Sequence, residues 1–142
     1  MPESHRLARN SNMTTSKTDR FGTAINCMDG RVQTPVIEFM TTEYGVDFVD
    51  MITEPGPIRA LSSESEGSIV ASIRRRVEIS VEKHDSKLIA IVGHYDCAGN
   101  PVGKDAQLQQ IRTAIKTVEA WKCSTRVVGL WVDNNWEAYE VG

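Results

Sequence analysis

Leu88-Ile89-Ala90-Ile91-Val92 is an unbroken apolar run of strand length, and Gly93-His94-Tyr95-Asp96-Cys97 comes directly after it. A run without polar alternation suits a parallel strand covered on both faces, because a strand with one wet face alternates instead. Outward from this run the chain alternates between helix-like and strand-like patterns. Upstream, Gly67 to about Lys83 carries Ile69, Ile73, Val77 and Val81 at steps of four, with Val70 adjacent, which predicts a helix with one apolar stripe. Arg74, Arg75 and Arg76 read as part of its solvated side. Downstream, Gln107 to Trp121 places Leu108, Ile111, Ile115 and Val118 on one side of another helix. Arg126 to Val132 is a further apolar strand, Asp133-Asn134-Asn135 is a turn signal, and Trp136 to Val141 folds back as a last strand.

Toward the N-terminus, Phe21 to Cys27 reads as a short buried strand ending at a glycine-containing loop. Thr34-Pro35 then opens a helix, with threonine as N-cap and proline at the first helical position. Val36, Met40 and Tyr44, with Ile37 beside them, form its apolar face, and Gly45 ends it. Val46 to Ile52 is a second strand, stopped by Thr53-Glu54-Pro55-Gly56-Pro57. Residues 1–19 are polar and unpatterned and read as a flexible arm; residues 20–142 read as one domain. Strands separated by helices favour crossover connections. The fold expected is a three-layer α/β domain: a mostly parallel sheet of about five strands, one antiparallel C-terminal edge strand, and helices on both faces.

Composition agrees and excludes other classes. In 142 residues, 40% are hydrophobic and 25% charged, near the globular average and unlike a disordered or collagen-like chain. Lys plus Arg is 16 against 19 for Asp plus Glu, a net charge of −3, whereas nucleic-acid binders usually carry a basic excess. No apolar run approaches the roughly 20 residues that span a bilayer, so no membrane span is expected. The three cysteines are an odd number, and the first twenty residues contain no apolar signal region. A reducing cytoplasm is therefore the expected compartment, where clustered Cys and His bind metal or do chemistry more often than they form disulfides.

Two short segments concentrate such residues. Cys27-Met28-Asp29-Gly30-Arg31 comes after the first strand, and His94-Tyr95-Asp96-Cys97 after the apolar strand. In open α/β sheets, ligands bind beyond the carboxyl ends of neighbouring strands whose connections leave in opposite directions. If these two strands are neighbours, Cys27, His94 and Cys97 converge there. Two soft thiolates and an imidazole suit zinc, and three protein ligands leave a fourth position open, as in catalytic rather than structural zinc sites. Cys123, placed before a strand at the far end of the sheet, reads as a small, partly buried residue outside this group. His84 ends a helix, where a positive charge suits the dipole. Glu54 falls in the pocket region by topology. Trp121, Trp131, Trp136 and Tyr139 read as core, or as an edge surface for a second subunit.

On these residues the chain resembles the β-class carbonic anhydrases. Cys27, Asp29 and Arg31 match the family's Cys-x-Asp-x-Arg, and His94 and Cys97 match its His-x-x-Cys; a weaker likeness extends over roughly residues 20 to 142. The resemblance implies zinc held by Cys27, His94 and Cys97, with an Asp29–Arg31 pair beside it, and a homodimer or higher homo-oligomer. It implies reversible hydration of carbon dioxide to bicarbonate by zinc-bound hydroxide. No nucleic-acid or membrane partner is expected. The chain departs from the family's usual pattern at Gly30, at Ala98-Gly99, and at Thr53-Glu54-Pro55-Gly56. Two alternatives stay open on that account: hydrolysis of carbonyl sulfide or carbon disulfide at the same site, and a non-catalytic zinc-binding role.

Overall fold

A computed structural model describes residues 19–63, 66–123 and 125–142. The polar arm expected over residues 1–19 lies, apart from Asp19, outside the described residues. In chain order the elements are β1 (Phe21–Cys27), a 3-10 turn (Gly30–Val32), α1 (Gln33–Glu43), β2 (Phe48–Glu54), α2 (Pro57–Leu61), α3 (Gly67–His84), β3 (Leu88–His94), α4 (Lys104–Glu119), β4 (Arg126–Val132) and β5 (Ala138–Val141). The sheet order is β2-β1-β3-β4-β5. The first four strands run parallel, and β5 pairs antiparallel with β4. This is the expected mixed sheet with its antiparallel edge.

Successive side chains of a strand point to opposite faces, and β3 at the sheet centre divides accordingly. Leu88, Ala90 and Val92 join Val32, Val36 and Met40 under α1. Ile89 and Ile91 join Ile58, Leu61, Ile73, Val77, Ile111 and Val118 from α2, α3 and α4 on the other face. Every residue of β3 is buried, which is why the run shows no alternation. Ile91 is fully buried within this second cluster. Ile91→Ala is expected to cost about 3 kcal/mol of stability, within the 2–5 kcal/mol range for such truncations. A lowered urea midpoint at unchanged slope would show it; a loss under 1 kcal/mol would contradict the packing.

Several boundaries differ from the sequence reading, each for a local reason. The Asp29 carboxylate accepts the Arg31 N–H and caps a 3-10 turn, so α1 begins at Gln33 and Thr34 is not its cap. Pro35 instead sits at the third helical position, still among the first four residues whose N–H lacks an intrahelical partner. Ile37 is exposed, leaving Val36 and Met40 as the buried stripe. β2 starts at Phe48 rather than Val46, because the N–H groups of Asp47 and Phe48 both turn to the Arg20 carbonyl. It runs on to Glu54 and stops at Pro55, which cannot donate to the ladder. Pro57, read as part of a stop, is the first residue of α2, where its fixed φ suits a helix start. α3 ends as its pattern requires: Asp85 takes a left-handed cap conformation, with Lys83 and His84 in the last turn.

This topology fixes where a site can form. β1 leads through α1 to β2 on one side, and β3 leads through α4 to β4 on the other. The carboxyl ends of the adjacent strands β1 and β3 therefore open a crevice at the point where the strand order reverses. Cys27 and His94 are the last residues of those two strands.

Candidate metal centre

Three residues after His94, the chain returns to the crevice through a turn in which Asp96 has φ of 59°. That turn brings Cys97 back beside Cys27, with the two sulfurs 3.8 Å apart. The ligand atoms of Cys27, His94 and Cys97 all lie within 4.8 Å of one another, and all three residues are buried. The three residues expected from topology to converge therefore meet in the crevice.

Their surroundings fix each of them. The His94 Nδ1–H donates to the Tyr95 carbonyl at 2.7 Å, which selects the tautomer with a lone pair on Nε2. Among the described residues that buried Nε2 has no hydrogen-bond partner. Gln107 on α4 grips the His94 backbone from both sides: its amide donates to the His94 carbonyl at 2.8 Å and its oxygen accepts the His94 N–H at 3.1 Å. The Asn26 side chain accepts the Cys27 N–H at 2.9 Å and donates to the Val32 carbonyl at 3.2 Å. Gln33 donates to the Cys27 and Asp29 carbonyls at 2.7 and 3.0 Å. Backbone N–H groups of Gly56 and Asp29 serve the Cys27 sulfur, and those of Gly99 and Asn100 serve Cys97.

Close approach of two loops is what makes this possible. A Cβ on Gly99 would lie 2.6 Å from the Pro55 carbonyl carbon, and one on Gly56 would lie 2.7 Å from Asn100 Cβ. Gly56 also holds φ of 59°. The segments that replace the family's usual residues at 53–56 and 98–99 are thus packed directly against each other.

The electrostatics favour a thiolate on Cys27. A hydrogen bond from the Cys97 thiol, acting against burial and joined by the neighbouring His94 ring, brings Cys27 down to about 4. That same contact, together with burial, holds the Cys97 thiol up. Burial opposes a charge on His94, but the Cys27 sulfur and the Tyr95 carbonyl outweigh it and raise its pKa. A divalent cation would be held by two thiolates that cancel its charge and by the free lone pair of His94 Nε2. The donor set fits a tetrahedral soft or borderline ion with a fourth position open.

Asp29 and Arg31 stand beside the cluster. Arg31 Nη2 donates to Asp29 Oδ2 at 2.7 Å and Arg31 Nε to Oδ1 at 3.1 Å, a two-pronged pair. Arg31 holds the Asp29 carboxyl down at about 2. Asp29 is therefore ionised at neutral pH and turned to Arg31, and it is not among the three converging ligands.

Other residues singled out from the sequence fall elsewhere. Cys123 is half-buried against the α2–α4 face, beyond the end of α4 and away from the crevice. His84 pairs with Asp50 at 2.7 Å and stacks on Phe21 at the opposite end of β1, about 20 Å of strand from Cys27. Glu54 makes an ion pair with Arg76, so Arg76 belongs to a half-buried contact rather than to a purely solvated helix face. Glu54 also lines a cavity of about 260 Å³ with Pro55, Gly56, Arg59 and Gly99. The C-terminal aromatics do not form one surface. Trp131 is buried, Trp121 faces Arg74, Tyr139 bonds Asp133, and Trp136 lies against Arg31. Asn26, Gln33, Gln107 and Trp136 were not legible as site residues. Their contacts depend on how separate strands, helices and turns are placed against one another, which no periodicity signals. Among the described residues, no helix is long and apolar enough to cross a membrane.

Known proteins share this arrangement of strands and helices. A family model described as "Putative carbonic anhydrase" matches residues 17–142. No curated protein matches the sequence. The crystal structure of β-carbonic anhydrase isoform I from Trichomonas vaginalis superposes with a TM-score of 0.57 at 15% identity, covering 97% of this chain and 95% of that one. One of two tetrameric β-carbonic anhydrases from Sordaria macrospora gives 0.49 at 16% identity, over 99% and 91% of the two chains. At such identities the structural likeness speaks for the fold. The family match spans nearly all of the sheet and its helices, including both cysteine-bearing segments, and on that ground the chain belongs to the carbonic anhydrase family, as a divergent member of its β class.

Proposed function

We propose that this chain is a zinc enzyme catalysing the reversible hydration of carbon dioxide to bicarbonate. Cys27, His94 and Cys97 would hold the metal, and Asp29 with Arg31 would act beside it. The observation that carries the reading is the buried, unpartnered Nε2 of His94 next to two thiols 3.8 Å apart, at the crevice of a fold shared with the family. Zinc, when bound, supplies a Lewis acid that lowers the pKa of water from about 15.7 towards 7.

The chain's own groups then have separable tasks. The two thiolates would neutralise the ion's charge and so temper that acidification compared with three neutral imidazoles. A strongly basic carboxylate hydrogen-bonded to the reacting water would hold its proton in place and raise the water's pKa. Asp29, doubly bonded by Arg31, is too weak a base for that. It instead accepts a hydrogen bond and orients the water. Arg31 balances the carboxylate charge and keeps it from turning away. Burial of the cluster excludes bulk water from its walls. A second copy of the chain is the expected partner; sedimentation as a monomer at micromolar concentration would contradict that.

Stopped-flow carbon dioxide hydration by protein of verified zinc content, from about pH 6.5 to 9, tests the reading. Activity rising with pH through one titration is expected. Absence of hydration at full zinc occupancy would overturn it. Turnover of carbonyl sulfide or carbon disulfide in that preparation would then move the assignment to hydrolysis, which the altered 53–57 wall would explain.

A further inference from the structure

We propose that Trp136 is a positioning residue whose indole face clamps the Arg31 guanidinium and so fixes the Asp29 carboxylate. The proposal rests on the reading of Asp29 and Arg31 given above. The Arg31 side chain is 46% exposed, and a long side chain at such a site ordinarily samples many rotamers. Here three residues engage it. Its guanidinium carbon lies 4.4 Å from the centre of the Trp136 ring. Nε and Nη2 face Asp29. Nη2 also donates to the Asp96 carbonyl at 3.2 Å, and Nη1 lies 3.4 Å from the Asp96 carboxylate. Tyr95 meets Trp136 edge-on at 6.3 Å, so the stack continues into the loop that carries His94 and Cys97.

The backbone singles out the same residues. Trp136 has φ of 60° and Asp96 has φ of 59°, both left-handed. Asp tolerates that region, but a bulky aromatic rarely adopts it. The turn is closed by the Trp136 N–H on the Asp133 carbonyl at 3.0 Å, and a glycine or asparagine would fit its last position with less strain. A hairpin that only had to reverse the chain has no need of tryptophan there. Strain held at a residue that faces a charged pair beside a candidate metal centre points to a task at that pair. A flat aromatic face over a guanidinium attracts it electrostatically and leaves the in-plane N–H groups free for carboxylates.

Two substitutions in the zinc-loaded full-length protein separate this task from a turn role. Trp136→Phe keeps an aromatic face and, like tryptophan, disfavours the left-handed turn position; Trp136→Asn suits that position but has no aromatic face. The probe is the Arg31 Nε–H resonance, assigned by its loss in Arg31→Lys, read together with kcat for hydration. Wild type is expected to show an upfield, slowly exchanging signal. Trp136→Phe should preserve most of that shift, with kcat within about threefold of wild type. Trp136→Asn should abolish the shift and lower kcat at least about tenfold with zinc content unchanged, as loss of orientation does. If Trp136→Asn keeps the signal and rate as well as Trp136→Phe, the clamp is wrong. If wild type has no hydration activity, the proposed function fails, and the Arg31 signal alone still decides the clamp: preserved by Trp136→Phe and lost in Trp136→Asn supports it, any other order overturns it.

Discussion

Cys97→Ala is expected to leave a folded protein that no longer retains zinc. The substitution removes one of three converging donors and leaves Cys27 and His94, which cannot surround an ion. Structural zinc sites with a full donor set bind with apparent free energies of about 10–16 kcal/mol, so losing one donor of three should weaken affinity by at least about a thousandfold. The fold should survive, because Cys97 lies at the edge of the core cluster under α1 and alanine removes only its sulfur. The grip of Gln107 on His94 and of Asn26 on Cys27 does not involve Cys97. Metal analysis after dialysis against a weak chelator, with circular dichroism on the same sample, reads both parts. Cys123→Ala is the matched control and should retain wild-type zinc, since that thiol sits against the other face of the sheet. Full zinc occupancy in Cys97→Ala would remove the cluster from the candidate site, and loss of zinc in Cys123→Ala would show that the wrong cysteines have been grouped.

The difference between these two thiols was legible in the sequence, and the reason is physical. A run as apolar as Leu88–Val92 must be covered on both faces, so it belongs at the centre of a parallel sheet, and the residues just after it belong at the carboxyl edge. Once β1 is its neighbour, Cys27 and His94 have no alternative but to meet. Helix periodicity placed α3 within a residue of its end, because its apolar stripe must face the sheet. Legibility stops where the chain leaves regular structure. Pro57 reads as a breaker from composition and yet begins a helix, because a proline's constraint is the same at a helix start as at a stop. Trp136 reads as one aromatic among several, whereas its role depends on a four-residue turn that swings it over Arg31. Glu54 shows the same limit: its position in the register beside Cys27 comes from strand pairing, but its partner on α3 depends on how that helix lies on the sheet.

Asp29→Asn should retain zinc and fold while losing hydration by about a hundredfold or more, the scale on which positioned polar groups act in a transition state. The amide keeps the size of the carboxylate but offers one oxygen in place of two, and points N–H groups at a guanidinium that has only donors. It can accept the Arg31 backbone N–H and so preserve the 3-10 turn, but not the two-pronged pair. Arg31 itself should stay in place, because Asp96 and Trp136 hold it independently of Asp29. The loss should therefore fall on kcat, with zinc content unchanged. Acid stability gives a second readout with a definite sign. Arg31 lowers the Asp29 pKa from 3.8 to about 2 in the folded protein, so the pair stabilises the fold above that ordinary value and the contribution disappears as pH falls towards 2. Asp29→Asn has no such proton to take up, and its stability should fall less steeply than wild type between pH 4 and 2. A variant with wild-type turnover at full zinc occupancy would reduce the Asp29–Arg31 pair to a surface contact that happens to cap a turn, and the chemistry would have to be sought in the cluster alone.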